Sequence, residues 1–88
     1  MENTPIAHLR NIIDNLDDEI IAAIAKRHQV SKQIGEYKKR HGIDVLDKSR
    51  EQMLHDYHVQ LSKKYNISAQ FVETIFDLIV SQSRSIQN

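Results

Sequence analysis

The sequence predicts an all-α protein with three helices per chain, the first about twice as long as either of the others. Apolar residues recur at alternating steps of four and three through the first forty positions, which is the period of a helix. No segment alternates polar and apolar residues with the period of two that a half-buried strand shows. Breaks are few: the 88 residues contain one Pro and two Gly, and turn-forming residues cluster only at RHGID and YNIS.

The first helix is expected between Pro5 and Gly42. Its apolar seam consists of Leu9, Ile13, Leu16, Ile20, Ala23, Val30, Ile34 and Tyr37. Gly35 lies inside this helix and costs about 1 kcal/mol relative to alanine, which the strength of the pattern outweighs. The segment Arg40 to Asp44 ends the helix because it combines Gly with residues of low helix propensity.

The second helix is expected from about Lys48 to Lys64, but its start is weak. A capping box places Glu or Gln three residues after the cap, whereas Arg50 stands three residues after Asp47 and Glu51 comes one position late. Asp47 and Glu51 then share a face of the first turn, where two carboxylates repel by a few tenths of a kcal/mol. This pair of acids therefore calls for a functional reason.

The third helix is expected to begin after Ser68, a favourable N-cap residue. Its inner face is formed by Phe71, Val72, Ile75, Phe76, Ile79 and Val80. The same stripe then continues as Ser83 and Gln87, so polar groups point where core residues pointed before. These two residues either mark a fraying end or belong to a site.

The unequal helix lengths predict self-association. At 1.5 Å per residue the first helix is roughly 50 Å long, whereas the other two are each roughly 25 to 30 Å long. Two short helices cannot cover the long seam, and a second copy of the chain can. We expect an intertwined helical homodimer built on paired first helices.

Composition excludes several classes of function. The chain reads as one domain, residues 1–88, and its 12 basic and 12 acidic residues leave no surplus charge for nucleic acid or an anionic membrane. It has no cysteine, and His55 and His58 lack an obvious third ligand, so we expect no metal and no cofactor. No signal peptide or membrane span is evident, which predicts a cytoplasmic protein.

Two cations interrupt the apolar seam of the first helix. Arg27 occupies the seam position between Ala23 and Val30, where an unpaired buried charge costs several kcal/mol. Lys38 lies within about 20° of the same face and roughly 16 Å further along the axis. Arg27 could form a structural pair with Glu51 or Asp47, and Lys38 could extend to solvent. Both could instead bind an anionic ligand.

Taken together, these residues resemble the all-α class of chorismate mutases, from residue 6 to residue 87. The positions that carry the resemblance are Leu9, Arg10, Ile13, Asp14, Leu16, Asp17, Arg27, Ile34, Gly35, Lys38, Asp47, Arg50, Glu51, Ser83 and Gln87. The resemblance implies a homodimer with two active sites that convert chorismate to prephenate, the branch-point step toward phenylalanine and tyrosine.

The resemblance also implies a role for each polar residue. Arg10 and Arg27 hold the two carboxylates of chorismate, and Lys38 and Gln87 donate to its ether oxygen. Glu51, with Asp47 nearby, accepts a hydrogen bond from the ring hydroxyl. Arg50 and Ser83 complete the polar wall. The four cations and two carboxylates of this set leave two positive charges, which match a dianion.

Helix geometry indicates that Arg10 acts on the partner's site. It lies 28 residues before Lys38, roughly 42 Å along one helix, so both cannot contact one small molecule within one chain. If the first helices are antiparallel and Arg10 falls near residue 32 of the partner, the two-fold axis crosses near residue 21. The small residues of IIAAIA at that point permit close helix approach.

Two alternatives remain open. Isochorismate-pyruvate lyase is similar in fold and needs the same Arg and Lys positions, although its substrate carries the ring hydroxyl elsewhere, so Asp47 and Glu51 favour the mutase. A non-catalytic helical dimer that regulates a partner enzyme has no reason to keep every position that contacts ligand. With no effector domain in the sequence, we expect a monofunctional, unregulated enzyme.

Overall fold

The computed structural model describes residues 4–88 and contains three helices: α1 (Pro5–Arg40), α2 (Lys48–Lys64) and α3 (Ala69–Gln87). No strand occurs in this part of the chain. The all-α prediction and the predicted order of one long and two shorter helices are confirmed, and the helix bounds agree closely with those expected from the sequence.

Local hydrogen bonds define the ends of α1. The Thr4 hydroxyl accepts a hydrogen bond from the Ala7 amide at 3.1 Å, and Pro5 occupies the first turn, where its missing N–H costs nothing. At the other end, the His41 amide donates to the carbonyls of Tyr37 and Lys38. Gly42 follows with φ of 63°, a left-handed conformation that glycine adopts without a steric penalty and that turns the chain away from the helix.

The start of α2 corrects an expectation from the sequence. Asp47 is the N-cap, and its Oδ1 accepts from the Arg50 amide at 3.0 Å. A single capping bond to the third residue of the helix therefore suffices without a capping box. The predicted cap of α3 is confirmed, since the Ser68 hydroxyl accepts from the Phe71 amide at 3.3 Å.

Helix α3 packs against both other helices and runs parallel to α1 and antiparallel to α2. Ser83 and Gln87 of α3 meet Arg27 and Lys38 of α1 in the same chain order. Contacts to α2 reverse this order: Arg84 meets Glu51, and Phe76 stacks on His58 with 3.8 Å between ring centroids. The last turns of α3 therefore lie between the C-terminal half of α1 and the start of α2.

The described chain is a rod. Its principal extents are 59 × 25 × 16 Å and its radius of gyration is 17.0 Å. A compact domain of this length has a radius of gyration of about 12 Å. The 36 residues of α1 account for the long dimension, since they span about 54 Å.

This rod has no apolar core of its own. No apolar side chain is buried among residues 4–88. The seam of α1 is open to solvent in its N-terminal half, with 56% of Leu9, 54% of Ile13 and 56% of Ile20 exposed. The buried residues are small or polar, and they lie where α3 meets its neighbours: Ser31, Gly35, His58, Ser62 and Ser83.

No helix within residues 4–88 has both the length and the apolar character needed to cross a membrane.

Candidate active site

One cavity joins the polar residues that the sequence singled out. It encloses about 360 Å³ between the C-terminal half of α1, the start of α2 and the end of α3. Its walls are Arg27, Val30, Ser31, Ile34, Lys38, Val45, Asp47, Arg50, Glu51, Leu54, Val80, Ser83, Arg84 and Gln87. Seven of the eight predicted substrate-binding residues line it, and Arg10 is the exception. A volume of this size suits a small molecule.

Arg27 enters the cavity from α1 and is held by α3. Its Nη1 donates to the Ser83 hydroxyl, and that hydroxyl donates to the Ile79 carbonyl at 3.0 Å. Burial lowers the pKa of the Arg27 guanidinium, and the positive charge of Arg50 lowers it further. An arginine begins so high that it stays charged all the same. The bonding partner of Arg27 is the neutral Ser83, and no ion pair joins it to Glu51 or Asp47. Much of its charge is therefore available to a ligand.

Lys38 is fixed from two sides. Its Nζ donates to the Val45 carbonyl at 2.9 Å, in the segment between α1 and α2, and to Gln87 Oε1 at 3.2 Å. Two acceptors direct the ammonium along the cavity wall, so Lys38 does not extend freely to solvent. An ammonium has three donors, so one N–H remains for a ligand.

Gln87 reaches Lys38 because α3 approaches α1 closely at Gly35. A Cβ built on Gly35 would lie 2.6 Å from the Gln87 Cα and 2.8 Å from its carbonyl oxygen. These contacts are with backbone, which cannot move aside as a flexible side chain can. The cost of glycine inside α1 is therefore offset by the position that it gives to the last turn of α3.

Replacing Gly35 with alanine is expected to lower kcat/KM by at least about tenfold, because the added Cβ displaces the last turn of α3 and carries Gln87 away from Lys38. Steady-state kinetics and circular dichroism on Gly35→Ala test this expectation. Gly42→Ala is a control that strains a turn with nothing within 4 Å of the added Cβ. Equal kinetics for Gly35→Ala and the natural chain would contradict the close-approach explanation.

Glu51 faces the cavity from the first turn of α2, where it forms an ion pair with Arg84 of α3. The sequence analysis did not select Arg84. A signal was present, since Arg84 follows Val80 by four residues and so continues a stripe of α3 that was predicted to face inward. A charge on that stripe is the same kind of irregularity that Arg27 forms on α1.

Asp47 and Arg50 lie at the rim of the cavity, and both residues are exposed. One oxygen of Asp47 is engaged in the helix cap, which leaves the other oxygen for a ligand. Asp47 therefore has a structural role that the sequence interpretation did not give it. The cap holds the first turn of α2, and with it Glu51, in place.

Arg10 does not reach this cavity. It is exposed on the N-terminal part of α1 and lies 17 residues before Arg27, about 26 Å along the helix axis. Its separation from the other seven residues within one chain agrees with the distance argument from the sequence.

His58 belongs to α2 and lies outside this cavity, with its ring stacked on Phe76 of α3. Burial lowers the pKa of its imidazole, and electrostatic repulsion from Arg27, His55 and Arg50 lowers it further. The folded chain thus favours the neutral ring, whereas the unfolded chain takes up a proton at an ordinary pKa of about 6.5. Stability is retained above that pH and is lost as the pH falls from there toward the lower pKa of the folded state.

Between pH 7.5 and 5.5, the natural chain is expected to lose more free energy of unfolding than His58→Gln. Urea unfolding at the two pH values measures this difference. His8→Gln, at an exposed position on α1, serves as the control and should behave like the natural chain. Parallel losses in His58→Gln and the natural chain would contradict the assignment of this pH dependence to His58.

Residues 4–88 hold no cluster of three or more His, Cys, Asp or Glu side chains that could bind a metal ion. The cavity lining combines cations, carboxylates and neutral polar groups. Arg27, Lys38, Arg50 and Arg84 are its cations, Asp47 and Glu51 its carboxylates, and Ser83 and Gln87 its neutral polar groups. The positive charges of the lining exceed the negative ones by two, and Val30, Ile34 and Leu54 add apolar wall.

Comparison with known proteins assigns this architecture to a family. The family model described as chorismate mutase type II matches residues 9–88. A chorismate mutase from Methanocaldococcus jannaschii is 29% identical over 82 residues, which cover 93% of this chain and 83% of that protein. The chain belongs to the chorismate mutase type II family.

Longer, fused relatives are also similar. A bifunctional chorismate mutase/prephenate dehydratase from Buchnera aphidicola subsp. Baizongia pistaciae is 35% identical over 74 residues, which cover 84% of this chain and 20% of that protein. The protein of the same name from Escherichia coli K12 is 29% identical over 79 residues, which cover 90% of this chain and 20% of that protein. The chain thus spans about a fifth of the length of these bifunctional relatives.

Proposed function

We propose that this chain catalyses the rearrangement of chorismate to prephenate in the cavity between its three helices. Family membership supports the activity, which is that of an isomerase. The observation that carries the proposal is the convergence of Arg27, Lys38, Ser83 and Gln87 from two helices on one small cavity. Arg27 and Lys38 supply positive charge to a dianionic ligand, and Gln87 supplies a neutral amide donor.

The chemistry explains why the site needs no nucleophile. Chorismate carries two carboxylates, an enol ether oxygen and a ring hydroxyl, and its rearrangement is a unimolecular pericyclic shift. One carbon–oxygen bond breaks while one carbon–carbon bond forms, and no proton has to move. An enzyme can hold the reactive conformer and can stabilise the negative charge that develops on the ether oxygen.

Arg27 suits the first of these tasks. A guanidinium grips a carboxylate with two parallel N–H donors, and the bond to Ser83 fixes the direction in which this fork points. Arg50 stands across the cavity and adds a second positive charge. Arg27 is partly buried, which lowers the local dielectric and strengthens its interaction with a ligand, whereas the exposed Arg50 interacts more weakly.

Lys38 and Gln87 suit the second task. The Gln87 oxygen accepts from Lys38, so its amide N–H groups are left to donate to a ligand. An ammonium and an amide side by side then aim donors at one point, where the ether oxygen gains charge in the transition state. Such preorganised donors are worth more there than in water because they need not reorient during the reaction.

Glu51, with Asp47 nearby, accepts the hydrogen bond of the ring hydroxyl in this proposal. Both carboxylates line the cavity, Glu51 from the first turn of α2 and Asp47 from its N-cap. A ring hydroxyl at that wall sets the orientation of the substrate. The same contact favours chorismate over isochorismate, whose hydroxyl occupies another ring position.

The functional unit in this proposal is a homodimer. A single chain leaves the apolar seam of α1 exposed and has no buried apolar side chain among residues 4–88, whereas a stable fold needs such burial. Antiparallel pairing of two α1 helices covers this seam. It also brings Arg10 of one chain to the cavity of the other, where it binds the second carboxylate of chorismate.

Product analysis tests the proposed reaction. The purified chain is incubated with chorismate, and the loss of chorismate absorbance is followed while the product is identified by NMR. Prephenate formation well above the uncatalysed rate is the expected result. Parallel incubation with isochorismate should release no pyruvate. No chorismate turnover by a folded dimer would contradict the mutase, and pyruvate release would instead indicate the lyase.

The rate is expected to vary little with pH near neutrality, because the Gln87 amide donates at any physiological pH. A carboxyl group at the same place donates only when protonated, so Gln87→Glu should shift the optimum of kcat/KM strongly to acid pH. Rate profiles between pH 5 and 9 for both proteins check this expectation. Gln82→Glu, on the exposed side of α3, is the control. A steep acid optimum in the natural chain would contradict the role of Gln87.

A further inference from the structure

Arg84 is a charged residue at the cavity that the proposed reaction does not use. It lies one residue after Ser83 and three before Gln87, so its side chain leaves α3 about 100° from that of Ser83 and about 60° from that of Gln87. Those two residues meet Arg27 and Lys38 of α1. Arg84 instead meets Glu51 of α2. One turn of α3 thus contacts both walls of the site.

The ion pair between Arg84 and Glu51 is the only one among residues 4–88. The two side chains are 42% and 36% exposed, and an ion pair this open to water adds little to folding stability. The ion pair instead orients the Glu51 side chain, because it connects the first turn of α2 to the last turns of α3 at the cavity.

Glu51 needs such a tether because other cations compete for it. Arg27 and Arg50 line the same cavity, and a free glutamate with three rotatable bonds could turn toward either of them. Asp47 needs no such tether, since its bond to the Arg50 amide already orients it. With Arg84 bound to Oε1, the other oxygen of Glu51 remains as an acceptor at the cavity wall.

We propose that Arg84 is a positioning residue that holds the Glu51 carboxylate in the orientation that accepts the ring hydroxyl of chorismate. This inference rests on the proposed function and assigns to Arg84 part of the substrate specificity of the site. Arg84 acts through Glu51, since its Nη1 donates to that carboxylate, whereas Lys38 is held by Val45 and Gln87.

The test compares chorismate with an analogue in which hydrogen replaces the ring hydroxyl. The ratio of their kcat/KM values measures how much the hydroxyl contact contributes, and a general loss of structure changes both values alike. The variants are Arg84→Ala, Arg84→Lys, Glu51→Gln and the double variant Arg84→Ala/Glu51→Gln. Gln82→Ala, two residues away on the exposed side of α3, is the matched control.

Arg84→Ala is expected to lower the preference for chorismate over the analogue by about tenfold, the size of one weakened charge-assisted hydrogen bond. Arg84→Lys should retain most of the preference because it keeps the charge. In the Glu51→Gln background, Arg84→Ala should lower the preference no further, since the two residues act as one unit. Gln82→Ala should leave both kcat/KM values unchanged.

Three results would overturn the inference. Arg84→Ala could lose kcat/KM equally toward both substrates, which indicates a purely structural residue, or could leave the preference unchanged. Arg84→Ala could also cause a full further loss of preference in the Glu51→Gln background, which indicates direct contact with the substrate. Circular dichroism and sedimentation of each variant establish that the fold and assembly are kept.

If Glu51→Gln itself leaves the preference intact, the role of Glu51 in the proposed function is wrong. If only Arg84→Ala leaves it intact, the proposed function stands and the role of Arg84 is wrong.

Discussion

Replacing Lys38 with alanine is expected to lower kcat for chorismate by about 10³-fold while KM changes far less. The ammonium is held toward the cavity by the Val45 carbonyl and by Gln87 Oε1. It therefore meets charge that is present on the ether oxygen only as the bond to the ring breaks. An interaction made only in the transition state is lost from kcat and not from substrate binding.

Lys39→Ala is the matched control for this experiment. Lys39 is exposed, neighbours Lys38 in sequence and carries the same charge, but it does not line the cavity. Its removal should leave kcat within a factor of about two, since it changes only a screened surface charge. A similar loss of kcat in both variants would show that general positive charge, and not the position of Lys38, explains the effect.

Mixing two inactive variants is expected to restore activity if Arg10 acts across the dimer. Arg10→Ala and Lys38→Ala each damage both sites of their own homodimer. In a mixed dimer, one site receives both substitutions and the other receives neither, because Arg10 of one chain and Lys38 of the other meet in the same cavity. One fully natural site is thereby regenerated in each mixed dimer.

The size of the recovery is predictable. Equal amounts of the two chains, unfolded together and refolded, form mixed dimers as half of the total when pairing is random. Each mixed dimer has one active site of two, so the mixture should show about a quarter of the natural specific activity. Either variant refolded alone is the control. No recovery in a mixture that sedimentation shows to contain dimers would contradict the contribution of Arg10 from the partner.

The helices could be predicted from the sequence because local rules determine them. The four-and-three spacing of apolar residues, Ser68 as a cap, and Gly42 after the last residues of α1 gave bounds close to those of the structure. The start of α2 was judged weak because the capping box was absent. The sequence interpretation treated the second bond of a capping box, made by a Glu or Gln side chain, as necessary. The bond from the Asp47 cap alone is sufficient.

The site could be predicted only in part. Arg27 and Lys38 were recognisable because a charge on an apolar seam needs a partner, but their actual partners, Ser83 and Gln87, lie 56 and 49 residues away in the chain. Such distant pairs depend on how α3 approaches α1, and that approach depends on Gly35. The sequence interpretation counted this glycine only as a cost to the helix.

Arg84 was missed for a related reason. The inner stripe of α3 divides near its end into a face toward α1, with Ser83 and Gln87, and a face toward α2, with Arg84. Periodicity alone does not show that a helix is contacted on two sides. The three-dimensional packing shows that α3 is contacted on two sides, because Arg84 forms an ion pair with Glu51 of α2 while Ser83 and Gln87 contact α1.

In the proposed mechanism the cavity is complementary to the transition state of the rearrangement, and two chains complete it. Calorimetric titration with a stable bicyclic ether dicarboxylate, shaped like that transition state, tests this most directly. This complementarity predicts one bound molecule per chain, an affinity at least about 100-fold higher than that for prephenate, and loss of this preference in Lys38→Ala. Equal affinities for the mimic and prephenate, or a mimic affinity that Lys38→Ala leaves unchanged, would contradict it.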